Sequence, residues 1–258
     1  MNFGDKVTVI MTTYNNIDFT KSSFESVKYF YPDVRVILAD GGSNSENLSA
    51  MKKLVDSYTK YDEVNLFVAY NSSTEMCRNM AVGLVDTPFI LTMDNDTKIL
   101  GEEVLPILFE SMRDERVAET GAYGVKVFDE KNFKAFVGQD FNDHMEVDAF
   151  VAYCALHRTE AYKQVGGQPV KEFFYDIPKE LWEGKWQKCY TGDLNIGRYY
   201  QKAGWKLLTP KERVPVVHWG KAYRTGGRPD PANDWWYENC THIRCNPLNK
   251  WEEKKGEM

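Results

Sequence analysis

Short apolar runs alternate with amphipathic stretches through the first hundred residues of the chain. Runs rich in β-branched and aromatic residues predict strands, and apolar residues at helical spacing predict the helices between them. The predicted strands cover residues 7–11, 34–39, 64–69 and 89–93, and the predicted helices cover residues 17–30, 45–58, 74–85 and 102–112. Ser45 is the predicted N-cap of the second helix. This alternation favours a parallel α/β sheet with right-handed crossovers.

After Ala118 the pattern changes, because strand-like runs follow one another without long helices between them. This pattern favours an antiparallel or mixed extension of the sheet. The later predicted elements are strands over 122–128, 135–137, 149–156, 205–208 and 214–217, a short helix from 159 to the Gly166-Gly167 pair, and a helix over 193–202. The tail from Lys221 is expected to be a long loop or a folded arm. No repeat or linker is visible, so we expect a single domain in two halves.

Asp94 and Asp96 follow the fourth apolar run, one residue apart. Ligands of open α/β sheets bind at the carboxyl ends of the strands. Carboxylate oxygens there suit Mg²⁺ or Mn²⁺ that carries a phosphate-bearing substrate. A polar turn that caps the next helix is the simpler alternative, and the pair alone does not decide between the two.

Composition narrows the possible partners and the expected location. The net charge of −6 does not favour a nucleic-acid backbone as a partner. The five cysteines are odd in number and lack metal-type spacing, which favours reduced thiols in a cytoplasm-like compartment. The N-terminus lacks a signal-peptide pattern, and no apolar run approaches the roughly 20 residues of a membrane span. We therefore expect a soluble cytoplasmic protein.

Five further motifs occur at strand ends, at a helix start or on a helix. In chain order they are Thr12-Thr13-Tyr14-Asn15, Asp40-Gly41-Gly42-Ser43, Cys77-Arg78-Asn79, Gly192-Asp193 and Val216-Val217-His218. Together with Asp94-Asn95-Asp96, this ordered set resembles the family 2 glycosyltransferases of the GT-A fold, over about residues 6–220. The resemblance implies a Rossmann-like, mostly parallel central sheet flanked by helices, with a smaller mixed or antiparallel acceptor-side sheet. It divides the domain into a nucleotide-binding half (1–115), an acceptor-binding half (116–220) and a C-terminal arm (221–258).

The resemblance also implies an activity, namely metal-dependent, inverting transfer of a sugar from a nucleotide-diphosphate sugar to a hydroxyl of a glycan or other acceptor. Asp193 would be the general base, and Asp94, Asp96 and His218 would hold Mn²⁺ or Mg²⁺. The implied donor-binding residues are Thr12, Tyr14, Asn15, Asp40, Gly41, Arg78, Asp94, Asn95 and Asp96. A UDP-sugar is favoured only because members of the family often use one, and GDP- and dTDP-sugars are the alternatives.

The resemblance also implies specific roles for three of the donor-binding residues. Tyr14 would stack on the base, Asp40 would accept from a base N–H, and Arg78 would close over the phosphates or the base. The sequence departs from the family at Gly192, where many members have Glu, so Asp193 is the only acid of that motif. Each role has a simpler rival: Asp193 as an N-cap, His218 as a strand-end histidine, and Arg78 as the partner of a surface acid.

Two further sets of residues are candidates on chemistry alone. Basic residues among glycines suit a loop that closes over a diphosphate, and a solvated loop is the alternative; these are Lys221, Arg224 and Arg228. Tryptophans suit a sugar groove, and packing is the alternative; these are Trp182, Trp186, Trp235 and Trp236.

Two other functions compete with glycosyl transfer. A nucleotidyltransferase also uses carboxylate-bound Mg²⁺, but it carries a Gly-rich basic loop where this chain has Thr12-Thr13-Tyr14-Asn15-Asn16. A non-catalytic glycan- or nucleotide-binding module on the same fold is the other alternative. The chain has no G-x-G-x-x-G or G-K-[ST] motif, which makes a dinucleotide or P-loop cradle unlikely.

Overall fold

The computed structural model describes residues 2–58, 64–70, 72–129, 134–138, 144–168, 192–219, 243–245 and 251–253. The elements of the first half are β1 (Val7–Thr13), α1 (Ile17–Phe30), β2 (Arg35–Asp40), α2 (Ser45–Asp56), β3 (Val64–Val68), α3 (Thr74–Val82), β4 (Phe89–Asp94), β5 (Thr97–Ile99) and α4 (Val104–Ser111). Those that follow are β6 (Val117–Gly121), β7 (Gly124–Asp129), β8 (Lys134–Gly138), β9 (Ala149–Phe150), β10 (Cys154–Arg158), α5 (Thr159–Gln164), α6 (Gly192–Lys202), β11 (Lys206–Leu207), β12 (Val216–His218), β13 (Ile243–Cys245) and β14 (Trp251–Glu253).

A mixed sheet forms the centre of the part of the chain that the structure describes. It has seven strands in the order β3-β2-β1-β4-β10-β6-β11. The four strands from β3 to β4 are parallel, as the alternating pattern predicts, whereas β10 runs antiparallel to both of its neighbours. Smaller antiparallel sheets join β7 with β8 and β9, and β5 with β12. In the tail, β13 pairs with β14.

Helices cover both faces of the central sheet. Val9 and Met11 of β1 belong to one buried cluster with apolar residues of α1 and α4, whereas Ile10 belongs to a second cluster with residues of α3, α5 and α6. Successive side chains of a strand point to opposite faces, so a strand covered on both faces is apolar throughout. This explains why β1, β2 and β4 are continuous apolar runs in the sequence. Among the described residues, every helix is too short or too polar to cross a bilayer.

Strand register brings the predicted motifs to one edge of the sheet. In the parallel pairs, Thr12 of β1 lies opposite Asp94 of β4, and Thr13 lies opposite Asp40 of β2. All of these residues are at the carboxyl ends of their strands. The site is therefore assembled by the parallel pairing itself.

Two predictions and one alternative about local structure are wrong. Asn44, not Ser45, is the N-cap of α2, because its side chain accepts a hydrogen bond of 2.9 Å from the N–H of Asn47. The predicted strand 149–156 is two strands, β9 and β10, separated by a turn at 151–153. A strand, β5, follows Asp94-Asn95-Asp96, so this motif does not cap a helix.

The apolar pattern also does not predict β6. Glu119 and Thr120 interrupt the apolar run there, yet the structure buries both of them in the central sheet. The strand predicted over 122–128 is β7, which begins at Gly124 and belongs to a different sheet.

Candidate active site

Asp94, Asp96 and His218 come together at the carboxyl end of β4. One ligand atom from each lies within 4.8 Å of the other two. His218 Nε2 is 3.0 Å from Asp96 Oδ1 and 4.0 Å from Asp94 Oδ2. The structure thus brings together the three residues predicted as metal ligands.

A small antiparallel pair of strands carries His218 to the two acids. His218 of β12 lies opposite Thr97 of β5, the residue that directly follows Asp96. The N–H of Trp219 donates to the carbonyl of Asp96 at 3.0 Å, which extends the pairing. Sequence alone shows only that His218 ends an apolar strand, whereas the pairing explains its place beside the D-x-D.

The donor set fits a divalent cation. Two carboxylates and one imidazole nitrogen are ligands that Mn²⁺ accepts. Burial opposes a charge on His218, but the hydrogen bond and the charge of Asp96 outweigh burial and raise the pKa of His218. A proton on His218 therefore balances the same carboxylates that a bound cation would balance.

Arg78 of α3 connects this cluster with Asp193. Only 2% of the Arg78 side chain is exposed. Its Nη2 lies 3.4 Å from Asp94 Oδ1, and its Nη1 lies 4.0 Å from Asp193 Oδ1. Thr12 Oγ1 donates to the same Asp94 oxygen at 3.2 Å. Arg78 is thus a buried link between two acids, and its predicted contact with a nucleotide stays a prediction.

Asp193 lies in the first turn of α6, and about a third of its side chain (33%) is exposed. The N–H of Ala152 donates to Oδ2 at 3.1 Å, and Gln168 Nε2 donates to Oδ1 at 2.9 Å. Burial raises the pKa of Asp193 to about 6, although Arg78 and the Ala152 N–H both act to lower it. A carboxylate of this kind changes its protonation state close to neutral pH, which suits a general base.

Gln168 forms hydrogen bonds with both Arg78 and Asp193 and so orients the two side chains. Its side-chain oxygen accepts from Arg78 Nη1, while its side-chain nitrogen donates to Asp193. Asn79 fixes the main chain of Gln168 by donating to its carbonyl at 2.7 Å and accepting from its N–H at 2.9 Å. Gln168 is almost completely buried, so this arrangement is part of the packed structure.

Asp40 stabilises the loop that follows β2. Its Oδ1 accepts from the N–H groups of Gly42 and Ser43, and its Oδ2 accepts from the hydroxyls of Thr13 and Ser43. The residue is completely buried. A contact between Asp40 and a base stays a prediction, and it would require the carboxylate to give up one of these donors.

The loop after β1 adopts an uncommon backbone conformation. Asn15 and Asn16 both have φ of 53°, in the left-handed region, which asparagine tolerates better than most residues. The loop is tied to its neighbour because the N–H of Asn15 donates to Ser43 Oγ at 2.6 Å, and Asn15 Oδ1 accepts from the N–H of Asn44 at 3.0 Å. Such strain is concentrated at functional sites and persists where the surrounding contacts enforce it.

Gly41 and Asn95 are also predicted to bind the sugar donor, and the structure shows what each of them packs against. A Cβ added at Gly41 would lie 3.7 Å from the Tyr14 ring and 3.2 Å from the Ser72 carbonyl oxygen, so Gly41 permits close packing of this loop. Asn95, the middle residue of the D-x-D, is buried and donates to Thr20 Oγ1 at 3.0 Å. Asn95 therefore anchors the motif to α1 while the two aspartates face the cluster.

Comparison with known proteins identifies the family. The model of the family described as Glycosyl transferase family 2 matches residues 8–166, which is more than half of the chain. The chain belongs to glycosyl transferase family 2. The match includes Asp40, Arg78, Asp94 and Asp96 and ends before Asp193 and His218. The family 2 assignment confirms the resemblance read from the sequence motifs.

Two solved structures resemble this family 2 chain, and both are GT-A glycosyltransferases, so the predicted fold is confirmed. The mannosyltransferase PcManGT from Pyrobaculum calidifontis, in complex with GDP-Man and Mn²⁺, has a TM-score of 0.56 and 17% identity, over 81% of this chain and 57% of its own. GalNAc-T7 with UDP, GalNAc and Mn²⁺ has a TM-score of 0.58 and 13% identity, over 83% of this chain and 43% of its own.

A curated relative is similar over a shorter stretch. It is the teichoic acid poly(glycerol phosphate) polymerase of Staphylococcus epidermidis, 31% identical over 99 residues, which are 37% of this chain and 13% of the relative. The family 2 chain thus spans a small part of that protein and 57% and 43% of the two solved chains.

Some predicted site residues lie outside the described residues. They are Lys221, Arg224 and Arg228 of the expected diphosphate loop, and Trp182, Trp186, Trp235 and Trp236 of the expected acceptor groove. Their roles stay predictions.

Other residues of the site are not predicted by the sequence motifs. Gln168 follows the Gly166-Gly167 pair, and Tyr153 and Ala152 lie within what the pattern predicts as an uninterrupted strand. Only the tertiary packing shows that Gln168 and Ala152 hold Asp193. A polar residue directly after a helix-ending glycine pair was the one available signal for Gln168.

Proposed function

We propose that this family 2 chain is a metal-dependent, inverting glycosyltransferase that uses a nucleotide-diphosphate sugar. The observation that carries the proposal is the placement of two acidic groups at one sheet edge. Asp94, Asp96 and His218, here called the donor side, can share a metal ion, and Asp193, here called the acceptor side, is joined to them through Arg78.

The donor side would hold Mn²⁺ or Mg²⁺ through Asp96, His218 and Asp94. A cation bound there would neutralise the charge that develops on the leaving nucleoside diphosphate. Tyr14 and Asn15 directly follow β1 and Asp40 ends the neighbouring β2, at the same edge of the sheet as Asp94, which supports a nucleoside pocket beside the metal site. One of the two similar structures contains GDP-Man and Mn²⁺ and the other contains UDP, GalNAc and Mn²⁺, which supports Mn²⁺ and both donor classes equally.

The acceptor side would carry out the proton transfer. The acceptor hydroxyl attacks the anomeric carbon and gives its proton to Asp193, and the bond from that carbon to the diphosphate breaks. A single displacement of this kind inverts the anomeric centre. A positioned base typically contributes ~10²–10⁴-fold. The partial exposure of Asp193 allows an acceptor to reach it, while Ala152 and Gln168 hold the carboxylate in place.

The acceptor is proposed only as a hydroxyl-bearing glycan or glycoconjugate. The name of the curated relative adds poly(glycerol phosphate) to the acceptors worth testing, since its repeat carries a hydroxyl. We also propose that the halves 1–115 and 116–220 form one domain. Strand β10 of the second half pairs with β4 of the first, which supports this organisation.

A thermal-shift screen with UDP, GDP and dTDP, each with and without Mn²⁺, tests the donor side. We expect one nucleoside diphosphate to stabilise the protein only when Mn²⁺ is present, and ligand at 100 times its Kd would add about 2.7 kcal/mol. The same screen with nucleoside triphosphates tests the nucleotidyltransferase alternative. If none of the three diphosphates gives a metal-dependent shift in Tm, the proposal is contradicted.

Turnover separates an enzyme from a binding module. The diphosphate that stabilises the protein identifies the donor class, and release of that diphosphate from the sugar nucleotide is then measured with and without acceptor. We expect Mn²⁺-dependent release that acceptors accelerate. Binding without any release would favour the non-catalytic module.

A further inference from the structure

The turn at residues 151–153 contacts both sides of the site. The N–H of Ala152 donates to Asp193 Oδ2 at 3.1 Å, and the carbonyl of Tyr153 accepts from the N–H of Asp94 at 3.3 Å. The ring of Tyr153 lies parallel to the imidazole of His218, with an interplanar angle of 6° and 4.4 Å between centroids. One short turn thus meets the candidate base, the D-x-D and the histidine.

We propose that Tyr153 is a positioning residue of the metal site, which fixes the ring plane of His218 for coordination. The contact of 3.0 Å from His218 Nε2 to Asp96 Oδ1, in which the imidazole donates, determines where Nε2 lies, but it leaves the ring free to turn about that contact. The stacked Tyr153 ring removes this freedom. This inference rests on the proposed function, because it requires a cation at Asp94, Asp96 and His218.

Tyr153 is itself held firmly, as a positioning residue must be. It is 4% exposed and belongs to the larger buried cluster of the central sheet. The ring of Tyr123 packs against it, with 5.1 Å between centroids. The main chain on either side is also fixed, because the N–H of Val151 donates to the Tyr123 carbonyl at 2.9 Å and the Cys154 carbonyl accepts from the N–H of Ala122 at 2.9 Å. Densely packed side chains keep one rotamer, so Tyr153 offers His218 a fixed surface.

The same turn explains how the two sides keep their relative position. The Tyr153 carbonyl holds the main chain of Asp94, while the preceding residue holds the Asp193 carboxylate. Groups that hold a metal ligand in place contribute to metal affinity, and for hydrogen-bonded partners their removal typically costs about 10–100-fold.

The test compares ring removal at Tyr153 with the same change at another buried tyrosine. Tyr153→Leu removes the ring, Tyr153→Met fills the space without a ring if the leucine variant does not fold, and Tyr153→Phe keeps the stacked ring. Tyr31→Leu is the matched control, because Tyr31 is also 4% exposed but forms hydrogen bonds with the main chain of Glu102 and of Leu105 in the first turn of α4. Mn²⁺ affinity is measured from the electron paramagnetic resonance signal of the free ion, in the presence of UDP or GDP, and Tm is measured without metal.

We expect Tyr153→Leu and Tyr153→Met to weaken Mn²⁺ binding by about 10-fold or more. Tyr153→Phe is expected to bind like the wild type, and Tyr31→Leu to lower Tm without changing Mn²⁺ affinity. Wild-type Mn²⁺ affinity in both ring-removal variants overturns the inference, and so does an equal loss in Tyr31→Leu. Absence of Mn²⁺ binding in the wild-type protein would remove the metal centre of the proposed function and the inference with it. This outcome can be distinguished from failure of the inference alone, because it is observed in the wild-type protein before any residue is substituted.

Discussion

The donor side and the acceptor side both rely on aspartates, but their surroundings differ. On the donor side, 6% of the Asp96 side chain is exposed, and its carboxylate is paired with an imidazole. On the acceptor side, Asp193 is 33% exposed and accepts from a main-chain N–H and an amide. Asp94 is as exposed (34%) as Asp193, and burial raises its pKa too, so the difference lies in the neighbouring groups. Asp94 is grouped with Asp96 and His218 as a possible ion site, whereas Asp193 lies outside that group, which suits proton transfer from an acceptor. Environment therefore assigns different tasks to the same residue type.

Arg78 is the residue that the two sides share. It is buried between Asp94 and Asp193, and its charge lowers the pKa of both, although burial outweighs it in each case. A single guanidinium can serve two carboxylates because its donors form a rigid fork. Changes on either side should therefore separate binding from turnover, and changes at Arg78 should affect both.

Asp96→Asn is expected to have the largest effect, because it removes the charge of a proposed metal ligand on the donor side. We expect Mn²⁺-dependent nucleotide binding to weaken by more than the 10–100-fold typical of an outer partner. Isothermal titration with the nucleoside diphosphate and Mn²⁺ measures this. Asp86→Asn is the matched control, since Asp86 is 83% exposed and pairs only weakly with Arg35. Equal binding by Asp96→Asn and the wild type would contradict the metal assignment.

Arg78→Met should disturb both sides. Without the arginine the pKa of Asp193 rises further above 6, so the acid limb of the pH–rate profile moves to higher pH. Each unit of that rise lowers the ionised fraction of the base about tenfold at acidic pH. The profile is measured at saturating donor, and Arg78→Lys, which keeps the charge, is expected to shift it less. An unshifted profile in Arg78→Met would show that Arg78 does not tune the base.

Sugar transfer by the wild-type protein is expected to slow as the pH falls through about 6, because the proposed base Asp193 must be ionised to accept a proton and its pKa is raised to about 6. Protonation of His218 also opposes metal binding at low pH, since its pKa is raised. Rates measured at increasing Mn²⁺ separate the two effects, because excess metal restores only the second. Full activity well below this pH would argue against Asp193 as the base.

The smallest effect concerns the loop beside the donor side. Asn44→Ala removes the N-cap of α2 and is expected to lower the free energy of unfolding by about 1 kcal/mol. Ser45→Ala, at the position that the sequence favours, should change it by less than about 0.5 kcal/mol. Urea unfolding of both variants decides between the two caps, and the reverse order would contradict the observed cap.

The two sides also differ in how far the sequence predicts them. The sequence motifs name all three donor-side residues, and Asp94 ends a continuous apolar strand whose parallel pairing brings strand ends together, although their role as metal ligands stays a prediction. The acceptor side is predicted only at Asp193. Gln168 and Ala152 hold that residue through contacts across 25 and 41 positions of the chain, and no local pattern encodes such contacts.

Arg78 and the turn at 151–153 show the same limit. The resemblance gives Arg78 a contact with the nucleotide, and the simpler alternative pairs it with a surface acid, but neither predicts that Arg78 is buried between Asp94 and Asp193. The apolar character of residues 149–156 conceals the turn, because its Tyr153 is itself a core residue. A periodic apolar pattern predicts which residues are buried. It does not predict that some of those buried residues also position the groups of the site.

Asp193→Asn tests most directly whether the two sides have separate tasks. Donor affinity is measured by titration with the nucleoside diphosphate and Mn²⁺, and transfer is measured on the same preparation at saturating donor. We expect donor affinity close to that of the wild type together with a transfer rate lower by ~10²–10⁴-fold. Transfer close to the wild-type rate with donor bound would contradict the assignment of Asp193 as the base.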